Sequence, residues 1–216
     1  MTEDNPETRH ATAGIILAAG SSVRMGKPKQ LLRIGDDLLL GRVLKAALAS
    51  DLEKVVLVLG CAADAIQEKL GEEKTHPKLQ IVVNDRYREG MATSLQAGLD
   101  LVRETYPAVL ILLGDQPFVD AATLNHLLQR FRESDRNICV PVCNGRRGQP
   151  VCFRRPLYDK LMRISGDKGG RDIVRANPKA VFEVAIENVD CFFDIDNERD
   201  LEKGRRHLKS SPGQAN

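Results

Sequence analysis

Gly14-Ile15-Ile16-Leu17-Ala18-Ala19-Gly20-Ser21-Ser22-Val23-Arg24-Met25-Gly26-Lys27-Pro28-Lys29 is the stretch in which an apolar run gives way to small, polar and cationic residues. Residues 14 to 19 are long enough for a buried strand and too short for a helix, and Gly20 lets the backbone turn with positive φ. A loop is expected to begin there. Ser21, Ser22 and Gly26 leave backbone amides uncovered, while Arg24, Lys27 and Lys29 bring positive charge, so the loop is read as a cradle for a polyphosphate. It is not a dinucleotide fingerprint, because no glycine follows Gly20 until Gly26. Nor is it a P-loop: five residues separate Gly20 from Gly26, and Pro28 stands where Ser or Thr would follow the lysine.

Around this stretch the composition is that of an ordinary globular protein. With 216 residues, 42% hydrophobic and 29% charged, the chain fits one domain, expected over residues 13–208. The polar segments 1–12 and 209–216 are expected to be disordered. A net charge of +2 with dispersed Lys and Arg argues against a nucleic-acid surface and for a small anionic partner. No window approaches the ~18 apolar residues of a membrane span, and the first ten residues are polar where a signal peptide needs a hydrophobic core. A cytoplasmic protein with no membrane partner is expected.

The cysteines at 61, 139, 143, 152 and 191 form no C-x-x-C pair, and no histidine has ligand spacing to Cys139 and Cys143, so core thiols are expected instead of a zinc site or disulfides. Histidines 10, 76, 126 and 207 are equally scattered, which leaves a histidine base or a nucleophilic triad without support.

Strand and helix patterns then alternate. A helix is expected over 40–49, a buried strand over 55–60, a short helix over 62–70 closed by Gly71, a strand over 80–83, a helix over 92–106 stopped by Pro107, and a strand over 109–113. Strands without polar alternation are covered on both faces. The expected fold is therefore α/β: a three-layer α/β/α sandwich around a mostly parallel, Rossmann-like sheet. In such sheets ligands gather outside the carboxyl ends of the strands.

Three motifs fall at those ends. The first is the cradle. The second, Asn84-Asp85-Arg86-Tyr87-Arg88-Glu89-Gly90-Met91-Ala92-Thr93-Ser94-Leu95, runs from a strand into a helix, where Thr93 and Ser94 also suit a first turn. The third, Leu113-Gly114-Asp115-Gln116-Pro117, ends an apolar strand with an acid. Asp120 and Thr123 are better placed to start the next helix, which leaves Asp115 available to a metal. Beyond residue 137, strands over 138–142 and 150–153 flank the turn-rich Cys143–Gln149, read as a hairpin crossing the mouth of the site. Ile164–Arg171 follows a short helix over 156–163 and carries three glycines, as a flexible linker or a second anion site would. Cys191–Leu201 is read as a strand passing through Asp196 into the last helix.

The pattern L-A-A-G-x-S-x-R-M-G-x-x-K, closed by Lys29, resembles the signature loop of nucleotidyltransferases with the nucleotide-sugar pyrophosphorylase fold. The segments E-G-M-x-x-S-L, G-D-x-P, G-Q-P-V, G-D-x-G-G-R and D-I-D are similar to those of its MobA-like branch, which acts on the molybdenum cofactor. The sequence departs from that branch at Ala92 and Gln149, where glycine and histidine are usual, at Gly170, and at Asn197-Glu198-Arg199. The resemblance spans residues 13–205 and implies transfer of CMP from CTP to the terminal phosphate of the molybdenum cofactor, with release of pyrophosphate. It implies nucleotide binding by Leu17, Ala18, Ala19, Gly20, Ser22, Arg24, Lys29, Asn84, Ser94, Gly114 and Asp115, with Arg24, Lys29 and Asp115 catalytic. Acceptor contacts fall on Gln116, Pro117, Gln149, Pro150, Asp167, Lys168 and Gly169, and Mg2+ on Asp115 and Asp196. A molybdoenzyme or its chaperone is the implied protein partner. Another small phosphorylated acceptor, GTP as donor, and a non-catalytic cofactor-binding protein or chaperone stay open as alternatives.

Overall fold

The computed structural model describes residues 11–21 and 28–210, with side chains as far as residue 208. In chain order the elements are β1 (Thr12–Leu17), β2 (Arg33–Ile34), β3 (Asp37–Leu38), α1 (Leu39–Ala49), β4 (Lys54–Leu59), α2 (Ala63–Lys69), β5 (Leu79–Val83), α3 (Met91–Asp100) and β6 (Ala108–Leu113). These are followed by α4 (Ala121–Glu133), β7 (Ile138–Cys143), β8 (Arg146–Arg147), β9 (Val151–Arg154), α5 (Tyr158–Met162), α6 (Arg171–Ala176), β10 (Val181–Ala185) and α7 (Glu198–Ser210). The main sheet runs β10-β7-β9-β6-β1-β4-β5, with β8 paired on β7. Neighbours β6, β1, β4 and β5 are all parallel, as are β7 and β10.

Every residue of β1 is buried, and its side chains alternate between two cores. Ala13, Ile15 and Leu17 join Leu95, Leu99 and Leu161 on one face, while Ile16 joins Leu44, Leu124 and Leu127 on the other. Both faces of the sheet are therefore covered by helices, and the expected three-layer α/β/α architecture is what forms. Among the described residues no helix is long and apolar enough to cross a membrane. The cysteines are free; all but Cys61 are buried, and burial pushes the Cys191 thiol up to about 12.

Four expectations need correction. Ala11 and Thr12, expected in a disordered leader, are ordered, Ala11 being buried and Thr12 opening β1, and residues 209 and 210, expected in a disordered tail, belong to α7; the rest of both segments lies outside the described residues. The helix expected to reach residue 106 stops at Asp100 and unwinds through turns in which Val102 N donates to Leu99 O and Tyr106 N to Val102 O. Pro107 disfavours helical backbone at Tyr106. The 150–153 strand does not cross the mouth of the site: as β9 it inserts between β6 and β7, antiparallel to both, and β7 forms its hairpin with β8. Finally, residues 191–193 are no strand; a 3-10 turn over Val189–Phe192 precedes Asp196, and the strand of this region is β10.

The packing of α3 on the sheet depends on Gly98. A Cβ there would lie 2.5 Å from Ile15 Cγ2 and 3.0 Å from Val58 Cγ2, both β-branched methyls that cannot swing away. Gly98→Ala is expected to destabilise the protein by about 1–3 kcal/mol, as overpacking does. Urea unfolding should show a lower midpoint at unchanged slope; an unchanged midpoint would mean that α3 shifts freely on the sheet.

Candidate functional site: a carboxylate-lysine centre at the sheet edge

Leu17 lies in register with Val58 of β4 and Leu113 of β6, so the three strands end together at one edge. Hydrogen bonds extend that edge by one step: Ala18 N donates to Val58 O (2.9 Å), Gly114 N to Leu17 O (3.0 Å) and Cys61 N to Ala19 O (3.1 Å). Buried Gln30 then clamps the start of the loop, its Nε2 donating at 2.9 Å to the carbonyls of both Ala18 and Gly20. Above this edge opens a cleft of about 460 Å³, at the crossover point where parallel sheets bind ligands.

Leu17, Ala18, Ala19, Gly20, Lys29, Ser94, Gly114 and Asp115 line the cleft, as the nucleotide reading expects. Asn84 lies beneath it: buried, its Nδ2 donates to Thr93 Oγ1 (2.9 Å) and Ser94 Oγ (3.0 Å), so it holds the lining instead of forming it. Ser22 and Arg24 lie outside the described residues.

At the floor of the cleft Lys29 Nζ bridges Asp115 Oδ2 at 2.6 Å and Asp196 Oδ1 at 3.1 Å. Burial works to lower the Lys29 pKa, but the charge and hydrogen bond of Asp115, then those of Asp196, outweigh it and raise the pKa. Asp196 reaches this point because Ile195 N donates to Asp115 O (3.0 Å) and Asn197 caps α7, its Oδ1 accepting from Asp200 N (3.0 Å). Asn197, one of the departures from the family pattern, thus serves as an N-cap. Asp115 Oδ1 is buried with no hydrogen-bond partner among the described residues, and Asp196 is 45% exposed. Two hard oxygen donors, one of them unsatisfied, fit a magnesium-like ion that takes one or two carboxylates and completes its shell with phosphate and water. Among the described residues no group of three His, Cys, Asp or Glu side chains is placed to hold a metal ion by itself.

The far wall joins two loops that the sequence keeps apart. Gly90 has φ 115°, and a Cβ there would lie 2.3 Å from the Gly166 carbonyl carbon, so only glycine fits. Ala92 N donates to Gly166 O (3.0 Å), and Asp167 Oδ1 accepts from Met91 N (3.3 Å) at the start of α3. Asp167, expected on the acceptor side, therefore borders the cleft that also holds Lys29 and Asp115. Lys168 is exposed and pairs with Asp172 at 3.6 Å, and Gly169 packs beside Met91.

Gln116 and Gln149 line a second cavity that meets the first at Leu113. Gln116 Nε2 donates to Asp194 Oδ1 (2.8 Å), and Asp194 is raised by burial against the opposing pull of that bond. Pro117 and Pro150 are buried, and the Pro117 carbonyl accepts from Arg42 Nε (3.1 Å). Gln30, Asp194, Tyr87 and Met91 were not singled out in the sequence as site residues. The first two owe their position to hydrogen bonds across the fold, whereas Tyr87 and Met91 stand inside the second motif.

A divalent ion held by Asp115 and Asp196 would draw on the same two carboxylates as Lys29, so the two cations are expected to compete. Lys29→Met is expected to lower stability without metal, by leaving Asp115 uncompensated, and to increase the stabilisation that Mn2+ confers without nucleotide. Thermal melts over a Mn2+ titration measure both; equal Mn2+ responses in wild type and variant would separate the lysine from the metal site.

Three comparisons bear on this geometry. GlmU of Chelativorans sp. (strain BNC1), a bifunctional protein, is 28% identical over 177 residues, 81% of this chain but 38% of that protein. The chain spans little more than a third of that relative's length. The molybdenum cofactor cytidylyltransferase of Escherichia coli K12 is 25% identical over 87% of this chain and 92% of its own. The crystal structure of Rv0371c from Mycobacterium tuberculosis superposes with TM-score 0.80 at 30% identity, covering 91% of this chain and 98% of that one, and the same protein has been solved in complex with manganese. Residues 14–181 match the MobA-like NTP transferase domain, and the chain belongs to that family.

Proposed function

We propose that this protein transfers CMP from CTP to the terminal phosphate of a molybdopterin-type acceptor and releases pyrophosphate. The observation that carries the reading is the pair Asp115 and Asp196, drawn to one lysine at the floor of the cleft. Similarity to the Escherichia coli cytidylyltransferase over nearly the full length of both chains supports the choice of acceptor.

The chemistry needs no general base. A phosphate monoester has its second pKa near ~6, so it is already an anionic nucleophile at pH 7. What the chain must supply is position and charge. Backbone amides of the Gly20 loop, with Ser22 and Arg24, hold the triphosphate; Lys29 passes from the carboxylates to the phosphates as charge develops on the leaving pyrophosphate. Ser94 and Asn84 support the base side. Asp115 and Asp196 hold Mg2+, which when bound supplies charge neutralisation at the α-phosphate. The acceptor enters from the cavity bordered by Gln116 and Gln149, beside Pro117 and Pro150, and Lys168 and Gly169 belong to the loop that closes the far wall.

Asp115→Asn is expected to lower kcat/KM by ~10²-fold or more, with Asp196→Asn milder because an amide oxygen can still ligate a hard ion. Asp115→Asn should also melt slightly below wild type, since Lys29 loses its nearer partner. The assay is pyrophosphate release from purified protein with CTP, Mg2+ and molybdopterin; wild-type turnover by Asp115→Asn across a magnesium titration overturns the metal assignment. Ala19, where guanylyltransferases of this fold carry glycine, leaves less room beneath the base, so CTP should be preferred over GTP. Equal turnover of the two nucleotides would refute that preference and leave the rest standing.

A further inference from the structure

The second cavity, about 860 Å³, is nearly twice the volume of the nucleotide cleft. Its apolar surface comes from Val140, Val151, Val174 and Phe192, and the Phe192 ring packs so closely on Gly148 that a Cβ there would lie 2.2 Å from it. Its charges are unevenly compensated. The acids at its wall are engaged: Asp190 with His207 Nε2 at 2.9 Å, and Asp194 with Gln116. Of its four arginines, Arg147 pairs with Glu183 at 2.6 Å and Arg175 with Asp172 at 3.9 Å. Arg146 of β8 and Arg171 of α6 line the same cavity, and among the described residues neither has a carboxylate within ion-pair distance. Gln149 Oε1 is buried there without a hydrogen-bond partner among the described residues.

We propose that Arg146 and Arg171 bind the phosphate of the acceptor, and that Gln149 Oε1 accepts a hydrogen bond from an N–H or O–H of the acceptor's body, which lies on Phe192 and Val174. The ligand class is a phosphate monoester with an apolar, donor-bearing body. The electrostatic need is plain. A phosphate dianion approaching a triphosphate over Asp115, Asp194 and Asp196 meets like charge from every side, and Lys29 is shared by two of those acids. Cations on the acceptor's own side offset that repulsion, and the guanidinium fork matches phosphate geometry. The assignment rests on the reading of the neighbouring cleft as the nucleotide site, and deepens it by naming the residues that select the acceptor.

The test uses full-length protein loaded with Mn2+ and a non-hydrolysable CTP analogue, titrated by calorimetry with inorganic phosphate and separately with molybdopterin. Both arginines are exposed, so glutamine at either position is tolerated by the fold. Arg146→Gln and Arg171→Gln should each weaken both probes roughly tenfold, as loss of a charge-assisted hydrogen bond does. Affinity for the CTP analogue should stay at the wild-type value. Gln149→Leu should weaken molybdopterin and spare inorganic phosphate. Wild-type phosphate affinity in Arg146→Gln/Arg171→Gln overturns the proposal, and so does an equal loss for the CTP analogue, which would assign the arginines to the nucleotide. Loss for molybdopterin with inorganic phosphate unaffected also overturns it, by moving the contact to another anionic group of the acceptor. Failure of wild-type protein to bind the CTP analogue would instead strike the nucleotide reading, while the phosphate titration still reports on the arginines.

Discussion

The ammonium of Lys29, held between Asp115 and Asp196, ties together three segments that lie far apart in the chain. Asp115 is placed by the sheet, two residues past the point where β6 and β1 end together. Asp196 is not on the sheet at all. It is held by a small satellite cluster in which Ile195 and Leu201 meet Ile34, Leu39 and Phe118, and by the hydrogen bond from Ile195 N to the Asp115 carbonyl. Without a cation between them the two acids would repel, and burial would sharpen the repulsion. The position of α7 and the electrostatics of the cleft are therefore parts of one constraint: whatever cation occupies the gap also holds the C-terminal helix against the strand edge.

Much of this architecture was legible in the sequence because it rests on short-range signals. The apolar runs of β1, β4 and β6 have no polar alternation, which happens only where both faces are covered. Asp120 was correctly read as a helix cap, its side chain accepting from Thr123 N at 2.7 Å, and that reading freed Asp115 for the site. The errors have a common physical origin. Val151–Arg154 is an apolar run like any other, and nothing local says that it pairs antiparallel between β6 and β7 instead of folding back as a hairpin. Phe192 and Phe193 look like strand residues, yet they sit at a 3-10 turn where one packs on Gly148 and the other stacks edge-on against Phe118. Tertiary contacts decided both.

The docking of the Gly90 and Gly166 loops illustrates the same limit at the site. Each was read separately, and the family resemblance put one on the nucleotide side and the other on the acceptor side. In the fold they pack backbone against backbone, close enough that Gly90 has no room for a Cβ and Ala92 N donates to Gly166 O. Asp167, capping the first turn of α3 from the neighbouring loop, couples that loop to Ser94 four residues after Gly90. A change in the Gly166 loop would therefore fall directly on the wall of the cleft that Ser94 and Asp167 line.

Charge balance links the two cavities. Around Leu113 the described residues bring Asp115 and Asp196 onto one lysine and Asp194 onto Gln116, an acidic excess that the two anionic substrates of the proposed reaction would tolerate only with cations from elsewhere. The sequence supplies cations at both ends: Arg24 and Lys27 in the stretch read as a phosphate cradle, and Arg146 and Arg171 at the second cavity. On the proposed reading, the acids at the centre would hold a metal and repel misplaced anions, while each substrate would be held by cations on its own side. In the same reading the nucleophile would meet the α-phosphate where the two cavities join at Leu113, and in-line phosphoryl transfer is the chemistry that such a junction would have to serve.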